Sequence, residues 1–208
     1  MRSDFAGLVP DIAAAGRAPK AQHNDTSDAA LIAKVAAGNR LAMQVLFARH
    51  HARVYRFILR LLGSEAAAAE DLTSEVFLGV WRHAHRFEAR SSVTTWLLAI
   101  ARYKALAELR RRPELACDEA AAQTSDPAGD PEATFAIKHR GEIVRDCLGR
   151  LSHRHREVID LVYYHGKSVQ EAAAILGIPG NTVKTRMFHA RKNLSELLAA
   201  RGVMGALA

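Results

Sequence analysis

The stretch "SVQEAAAILGIPGNTVKTRMFHARKNL", residues 168–194, constrains the fold more than any other part of the chain. Ser168 with Glu171 three residues later has the spacing of a capping box, in which side chains at a helix start satisfy otherwise unbonded amides. Gly177 is placed to adopt the positive φ that ends a helix, and Asn181 then opens a second one. Two helices joined by so short a turn cross steeply, which requires a small residue at the crossing. Ala173 supplies it, and Val183 points into the shared core. The segment predicts a helix-turn-helix.

The second of these helices is basic. Lys184, Arg186, Arg191 and Lys192 recur along it with no acid between them. In a helix-turn-helix the N-terminal part of the second helix enters the DNA major groove. The exposed positions here are Thr182, Lys184, Thr185, Phe188 and His189. Lys184 can reach a base edge or a phosphate, and the Thr185 methyl can meet a thymine methyl. Arg186, Arg191 and Lys192 suit backbone phosphate, which gives affinity without sequence choice. The charge alone fits a solvated basic face equally well; the turn spacing favours DNA. A net charge of +7 over 208 residues agrees with a polyanionic partner.

The rest of the chain reads as helical. Apolar residues make up 49% but aromatics only 6%, and Ala, Leu, Arg, Lys and Glu are good helix formers. No alternating run is long enough to argue a strand. The sequence therefore predicts an all-α protein of two small helical domains. Residues 1–27 lack periodicity and read as a disordered tail. Apolar spacing predicts a first bundle over 28–112, with Leu31, Ile32 and Val35, then Leu41, Val45, Leu46, Val54, Phe57, Ile58 and Leu61 facing inward. Residues 113–132, "PELACDEAAAQTSDPAGDPE", form an acidic linker expected to shield neighbouring basic surfaces in the free chain. A second bundle is expected over 133–200, with one continuous helix from Ser152 to Gly166 before the helix-turn-helix.

Two cysteines 30 residues apart suggest neither a disulfide framework nor a cysteine metal site. No signal peptide or membrane-spanning segment is evident, so a soluble cytoplasmic protein with no membrane insertion is expected. Ten histidines invite a metal-enzyme reading. The pairs His50–His51, His83–His85 and His153–His155 lie one or two residues apart and point to different sides of a helix. No phosphate-binding loop or nucleophile elbow is present. The chain is expected to be no enzyme and to need no cofactor or metal.

The front block points further. "EDLTSEVFLGVWRHAHRF", "TTWLLAIARYKALAELRRR", a linker and "LSHRHREVIDLVYYHGKSVQEAAAILGIPGNTVKTRMFHARKNL" follow in that order. Together they resemble a bacterial sigma factor of the short extracytoplasmic-function type in the sigma-70 family. That type keeps the second and fourth conserved sigma regions, which the resemblance places at 28–112 and 133–200. It implies an RNA polymerase core partner, promoter DNA and an anti-sigma factor. The second region would dock on the β′ clamp helices through Asp71, Glu75, Phe77 and Trp81, although Phe77 and Trp81 also read as core residues, Trp81 partly exposed. It would open the −10 element through Ser91, Ser92 and Trp96, beside Phe87, with Arg102, Lys104, Arg110, Arg111 and Arg112 on the DNA backbone. Trp96 also reads as a core residue. The fourth region would bind the β flap and read the −35 element with the basic helix. A dimeric helix-turn-helix regulator is the alternative, which would require a palindromic site.

Overall fold

The computed structural model describes residues 27–63, 65–112 and 141–202. Apart from Ser27, the expected tail lies outside these residues, as do the linker and the start of the second bundle. Among the described residues every regular element is helical.

The first bundle has four helices: α1 (Asp28–Ala36), α2 (Arg40–Leu61), α3 (Ala66–His83) and α4 (Val93–Arg111). Side-chain caps set three of the starts. Ser27 accepts the Ala30 amide at 3.2 Å, Asn39 the Ala42 amide at 3.0 Å and Ser92 the Thr95 amide at 3.2 Å. Asp28 clips α1 to α2, accepting from Arg49 at 3.0 Å and pairing with His50 at 2.8 Å. Leu46, Val54, Phe57, Ile58, Val76, Val80, Leu97 and Leu98 are fully buried between the helices. Leu41 and Val45, expected inside, are 71% and 42% exposed. Each precedes a buried residue, Ala42 or Leu46, by one position, which turns it about 100° around the helix. The helix expected from Thr95 starts two residues earlier, because Ser92 is its cap.

The second unit contains α5 (residues 141–149), α6 (His153–Ile159), α7 (Val169–Leu176) and α8 (Gly180–Ala200). The helix expected to run unbroken from Ser152 widens instead into a π turn over Asp160–Tyr164, closed by the His165 amide donating to the Asp160 carbonyl at 3.1 Å. Gly166 then leaves the helix with φ +60°. The capping box forms: Ser168 accepts the Glu171 amide at 3.2 Å and Glu171 accepts the Ser168 amide at 3.1 Å. Gly177 takes φ +64°, and Val183 is fully buried. The last helix starts at Gly180 rather than Asn181. Pro179 holds the N-cap position, and its carbonyl accepts the Val183 amide at 3.2 Å.

The two units are packed together, α7 against α4, and their apolar residues form one cluster. That contact places the α4 N-terminus against the second unit.

Candidate nucleic-acid interface

The outer face of α8 carries the helix-turn-helix candidates. Val183, Ala190, Leu194 and Leu198 hold its inner face. This spacing turns Lys184, Thr185, Phe188, His189, Arg191 and Lys192 outward, all exposed, with Thr182 and Arg186 half-buried. Among the described residues Lys184, Arg186, Arg191 and Lys192 have no carboxylate partner. Phe188 is 58% exposed, its ring 5.4 Å from that of His189. Thr185 Oγ1 donates to the Asn181 carbonyl one turn back, at 3.0 Å, leaving its methyl to face outward. The result is a strip of unpaired cations and an apolar ring on a rigid helix, suited to phosphates and base edges.

The candidates on the first bundle divide. Asp71 and Glu75 are exposed on α3. Glu75 accepts from Lys104 of α4 at 2.7 Å, so a residue expected to meet polymerase holds one expected to meet DNA. Phe77 is only 3% exposed, because it shares the inward stripe of α3 with Thr73, Val76 and Val80. Of the exposed apolar side chains nearby, Leu78 lies one turn after Glu75 on α3, and the Phe47 ring of α2 packs edge-on to Phe77 at 4.8 Å. Neither was marked by the sequence pattern: Phe47 adjoins a buried position and reads as ordinary helix surface. Trp81 is half-buried against the core.

In the loop and helix after it, Trp96 is 4% exposed and lies 5.2 Å from the half-buried Phe87 ring. It is a core residue in this arrangement, since the α4 start inserts it under the loop. Ser91 is half-buried and Ser92 lies on the rim as the helix cap. Arg110, Arg111 and Arg112 are exposed at the far end, the latter two near Glu108 at 3.4 and 3.1 Å. Arg102 is turned inward: its guanidinium donates to Glu157 of α6 at 2.5 and 3.4 Å.

Arg102 belongs to a polar seam between the two units. Glu157 is 2% exposed. On one side of the seam, Arg60 of α2 pairs with Asp160, and its guanidinium lies 4.2 Å from the Tyr164 ring centre. His165 sits edge-on to Phe57 at 5.3 Å. On the other side the N-termini of α4 and α7 meet around one carboxylate. Glu171 accepts from Thr95 Oγ1 at 2.8 Å and from Lys167 Nζ at 3.0 Å, while Lys167, itself buried, also donates to Thr95 at 3.0 Å. Partial burial alone would raise the Glu171 carboxyl. The bonds from Ser168, Thr95 and Lys167, with the lysine charge, outweigh it and hold the group at about 2. His153, beside Glu157, is pushed below its ordinary value by burial, which Glu157 only partly offsets. Thr95, Glu157, Asp160, Lys167 and Glu171 have no sequence signal for this role, because the partners of each bond lie far apart in the chain. Only the Ser168–Glu171 spacing was visible, and it reports the local cap.

Comparison with known proteins follows the same division. Residues 46–113 match the family model for sigma-70 region 2, and residues 141–194 match that for sigma-70 region 4. The chain is 31% identical over 179 residues to the ECF RNA polymerase sigma factor SigK of Mycobacterium tuberculosis, covering 81% of this chain and 92% of that protein. It is 32% identical over 179 residues to the ECF RNA polymerase sigma factor SigL of the same species, covering 84% and 98%. Among solved structures it is similar to CnrH in complex with the cytosolic domain of CnrY, with a TM-score of 0.61, 29% identity and coverage of 83% of this chain and 97% of that one. It is also similar to the sigma factor RpoE of Bartonella quintana, bound to the anti-sigma factor NepR, with a TM-score of 0.57, 28% identity and coverage of 74% and 94%.

Proposed function

The chain belongs to the ECF RNA polymerase sigma factors of the sigma-70 family, and from that premise we propose that it binds core RNA polymerase and directs initiation at promoters with separate −10 and −35 elements. The observation that carries this reading is the unpaired cationic face of α8, presented by a helix-turn-helix that follows a region 2 bundle in the same chain. Lys184 and Thr185 contact base edges of the −35 element. Arg186, Arg191 and Lys192 bind its phosphates, and Thr182, Phe188 and His189 complete the surface.

The first bundle, over 28–112, holds the −10 element. Melting costs a few kcal/mol per unstacked base, and captured bases offset that cost. Ser91 and Ser92 line the capture site, with Trp96 and Phe87 as the apolar floor. Arg102, Lys104 and the Arg110–Arg112 cluster track the strand. Asp71 and Glu75 meet the basic β′ clamp helices, with Phe77 and Trp81 supporting that surface. The second unit, over 133–200, contacts the β flap, and residues 113–132 join the two.

Two similar sigma factors are known in complex with partners, CnrH with the cytosolic domain of CnrY and RpoE with the anti-sigma factor NepR. On that likeness, an anti-sigma protein controls this chain as well. It works in the cytoplasm, where polymerase is, and no described helix is long and apolar enough to cross a membrane. It has no catalytic reaction of its own; polymerase makes the bonds.

Reconstituted transcription tests the proposal. Core enzyme with the full chain, on a library of promoters, is expected to give discrete start sites that core alone does not. Core enzyme that neither binds the chain nor gains start-site selection from it would overturn the proposal.

A further inference from the structure

Helix α2 carries five arginines, two histidines and no acid in its 22 residues. Four of the arginines, Arg49, Arg53, Arg56 and Arg60, are spaced four, three and four residues apart, so they line one face of the helix. The stripe spans about 16 Å, the axial rise of about five nucleotides of one DNA strand. Its two middle members, Arg53 and Arg56, are exposed and have no carboxylate partner among the described residues. Arg56 donates from Nε to the Ala52 carbonyl one turn back, at 3.0 Å. At the ends, Arg49 meets Asp28 and Arg60 meets Asp160.

Packing does not explain the stripe. Like charges three and four residues apart destabilise a helix, and no acid on α2 offsets the pairs formed here. Nor does the stripe resemble the centre of a protein interface, which holds an apolar anchor sheltered from water. The surface rings of α2, Phe47, His51 and Tyr55, stand in a row on another side, with Phe47 against Phe77 of α3. The exposed Leu41 and Val45 lie two turns or more before Arg53. Beside Arg49 and Arg56 there is only the methyl of Ala52, itself exposed. The stripe is also continuous with the face assigned to the −10 strand. Arg60 and Arg102 reach Asp160 and Glu157, which are three residues apart, so guanidiniums of α2 and α4 emerge side by side at the boundary with the second unit.

We propose that the α2 stripe is a second, sequence-independent DNA track: Arg53 and Arg56, with Arg49 and Arg60 at its ends, bind backbone phosphates of the duplex between the −10 and −35 elements. The inference rests on the sigma-factor reading above. One unit is assigned the −10 element and the other the −35 element, so the spacer duplex is the segment that passes the boundary between them. Arg60 sits at that boundary. A guanidinium matches phosphate with two parallel hydrogen bonds, and such contacts add affinity and register without base preference. The end arginines are held by carboxylates. The middle pair faces solvent and can take up phosphate with no rearrangement of the helices.

The test uses core polymerase with the full chain, bound to a fluorescent promoter duplex and followed by anisotropy across a salt series. With Arg53→Gln and Arg56→Gln together, the slope of log affinity against log salt is expected to be shallower by about two. The deficit against wild type then grows about fourfold with each halving of salt. Arg53→Lys with Arg56→Lys keeps the charge and is expected to keep the slope. Neutral methylphosphonates in the spacer are expected to weaken wild type and leave R53Q/R56Q unchanged, whereas the same groups downstream of the −10 element weaken both alike. Urea unfolding of R53Q/R56Q is expected to show no loss of stability; a loss would mark the stripe as structural and count against the track. An unchanged salt slope overturns the proposal, as does a wild-type response to downstream neutralisation alone. Weaker core binding by R53Q/R56Q with an unaltered promoter slope assigns the stripe to an acidic protein surface and overturns it too. Failure of the wild-type chain to bind core overturns the sigma-factor reading, and the DNA track with it.

Discussion

Helices α4 and α8 are both long and basic, yet they use their charge in opposite ways. Along the 19 residues of α4, nine are buried, whereas only four of the 21 in α8 are. On α4, Arg102 meets Glu157, Lys104 meets Glu75, and Arg111 and Arg112 meet Glu108. On α8, Lys184, Arg186, Arg191 and Lys192 meet no carboxylate among the described residues. The lesson is that a count of lysines and arginines says little about which of them can take up phosphate. Pairs whose cation is exposed, such as Arg112–Glu108, contribute little stability and exchange readily for another anion. A cation held by a buried carboxylate, as Arg102 is, must first be released.

The contrast can be broken most forcefully through packing. Leu97→Ala, in the α4 core, is expected to cost about 3 kcal/mol, whereas Phe188→Ala on α8 should change stability by less than about 0.5 kcal/mol. Urea unfolding followed by far-UV circular dichroism checks both; equal losses would mean that α8 is packed like α4. Next in size is the charge itself. Removing Arg191 and Lys192 together should leave the fold intact and make the dependence of log affinity on log salt shallower by about two, one for each lost phosphate contact. Fluorescence anisotropy with a −35 duplex across a salt series measures it, and an unchanged slope would show these cations to be solvated bystanders.

A third test bears on the turn that aims α8. Gly177 holds φ +64° with open space where a side chain would go, so Gly177→Ala should cost about 1 kcal/mol from backbone strain alone. Thermal melting reads this, and no loss would show that the turn relaxes.

The smallest effect expected is on acidity. Burial lowers His50 in the first bundle and His153 in the second below the ordinary 6.5, each partly offset by a carboxylate, Asp28 or Glu157. The unfolded chain then binds protons that the folded one resists. Their stabilising contribution is complete above pH 6.5 and fades as pH falls through the lowered values. Glu171 behaves differently. Held at about 2 against an ordinary 4.5, it keeps its contribution above pH 4.5 and loses it as pH falls towards 2. Melting temperature should therefore start to decline below neutrality, and His50→Gln should flatten the first part of that decline. A flat profile down to pH 5 in the unmodified chain would contradict the burial of these rings.

Much of this was legible in the residues because it rests on local rules. The capping box at Ser168 and Glu171, the left-handed Gly177 and the buried Val183 each answer a steric or hydrogen-bonding demand within a few positions. The errors arose where a neighbour decides. Leu41 and Val45 have the apolar character of a core face, but Ala42 and Leu46 take that face because α1 packs there. The π turn at Asp160–Tyr164 has no composition signal, since its residues suit an ordinary helix. Phe77 and Trp96 also read as core residues in the sequence, and their depth agrees with that reading, while Phe47, Leu78 and Ser92 are the more accessible side chains.

The amino-acid order by itself determined that the chain is helical, where most helices begin and end, and that its last helix presents a basic face behind a glycine turn. These follow from hydrogen bonds and backbone sterics acting over three or four residues. Only the tertiary structure decided which cations are already spoken for, because Arg102 and Glu157 lie 55 residues apart and Arg60 and Asp160 lie 100 apart. Electrostatic pairing depends on distance in space and on burial, and neither can be read from the order of residues along a chain.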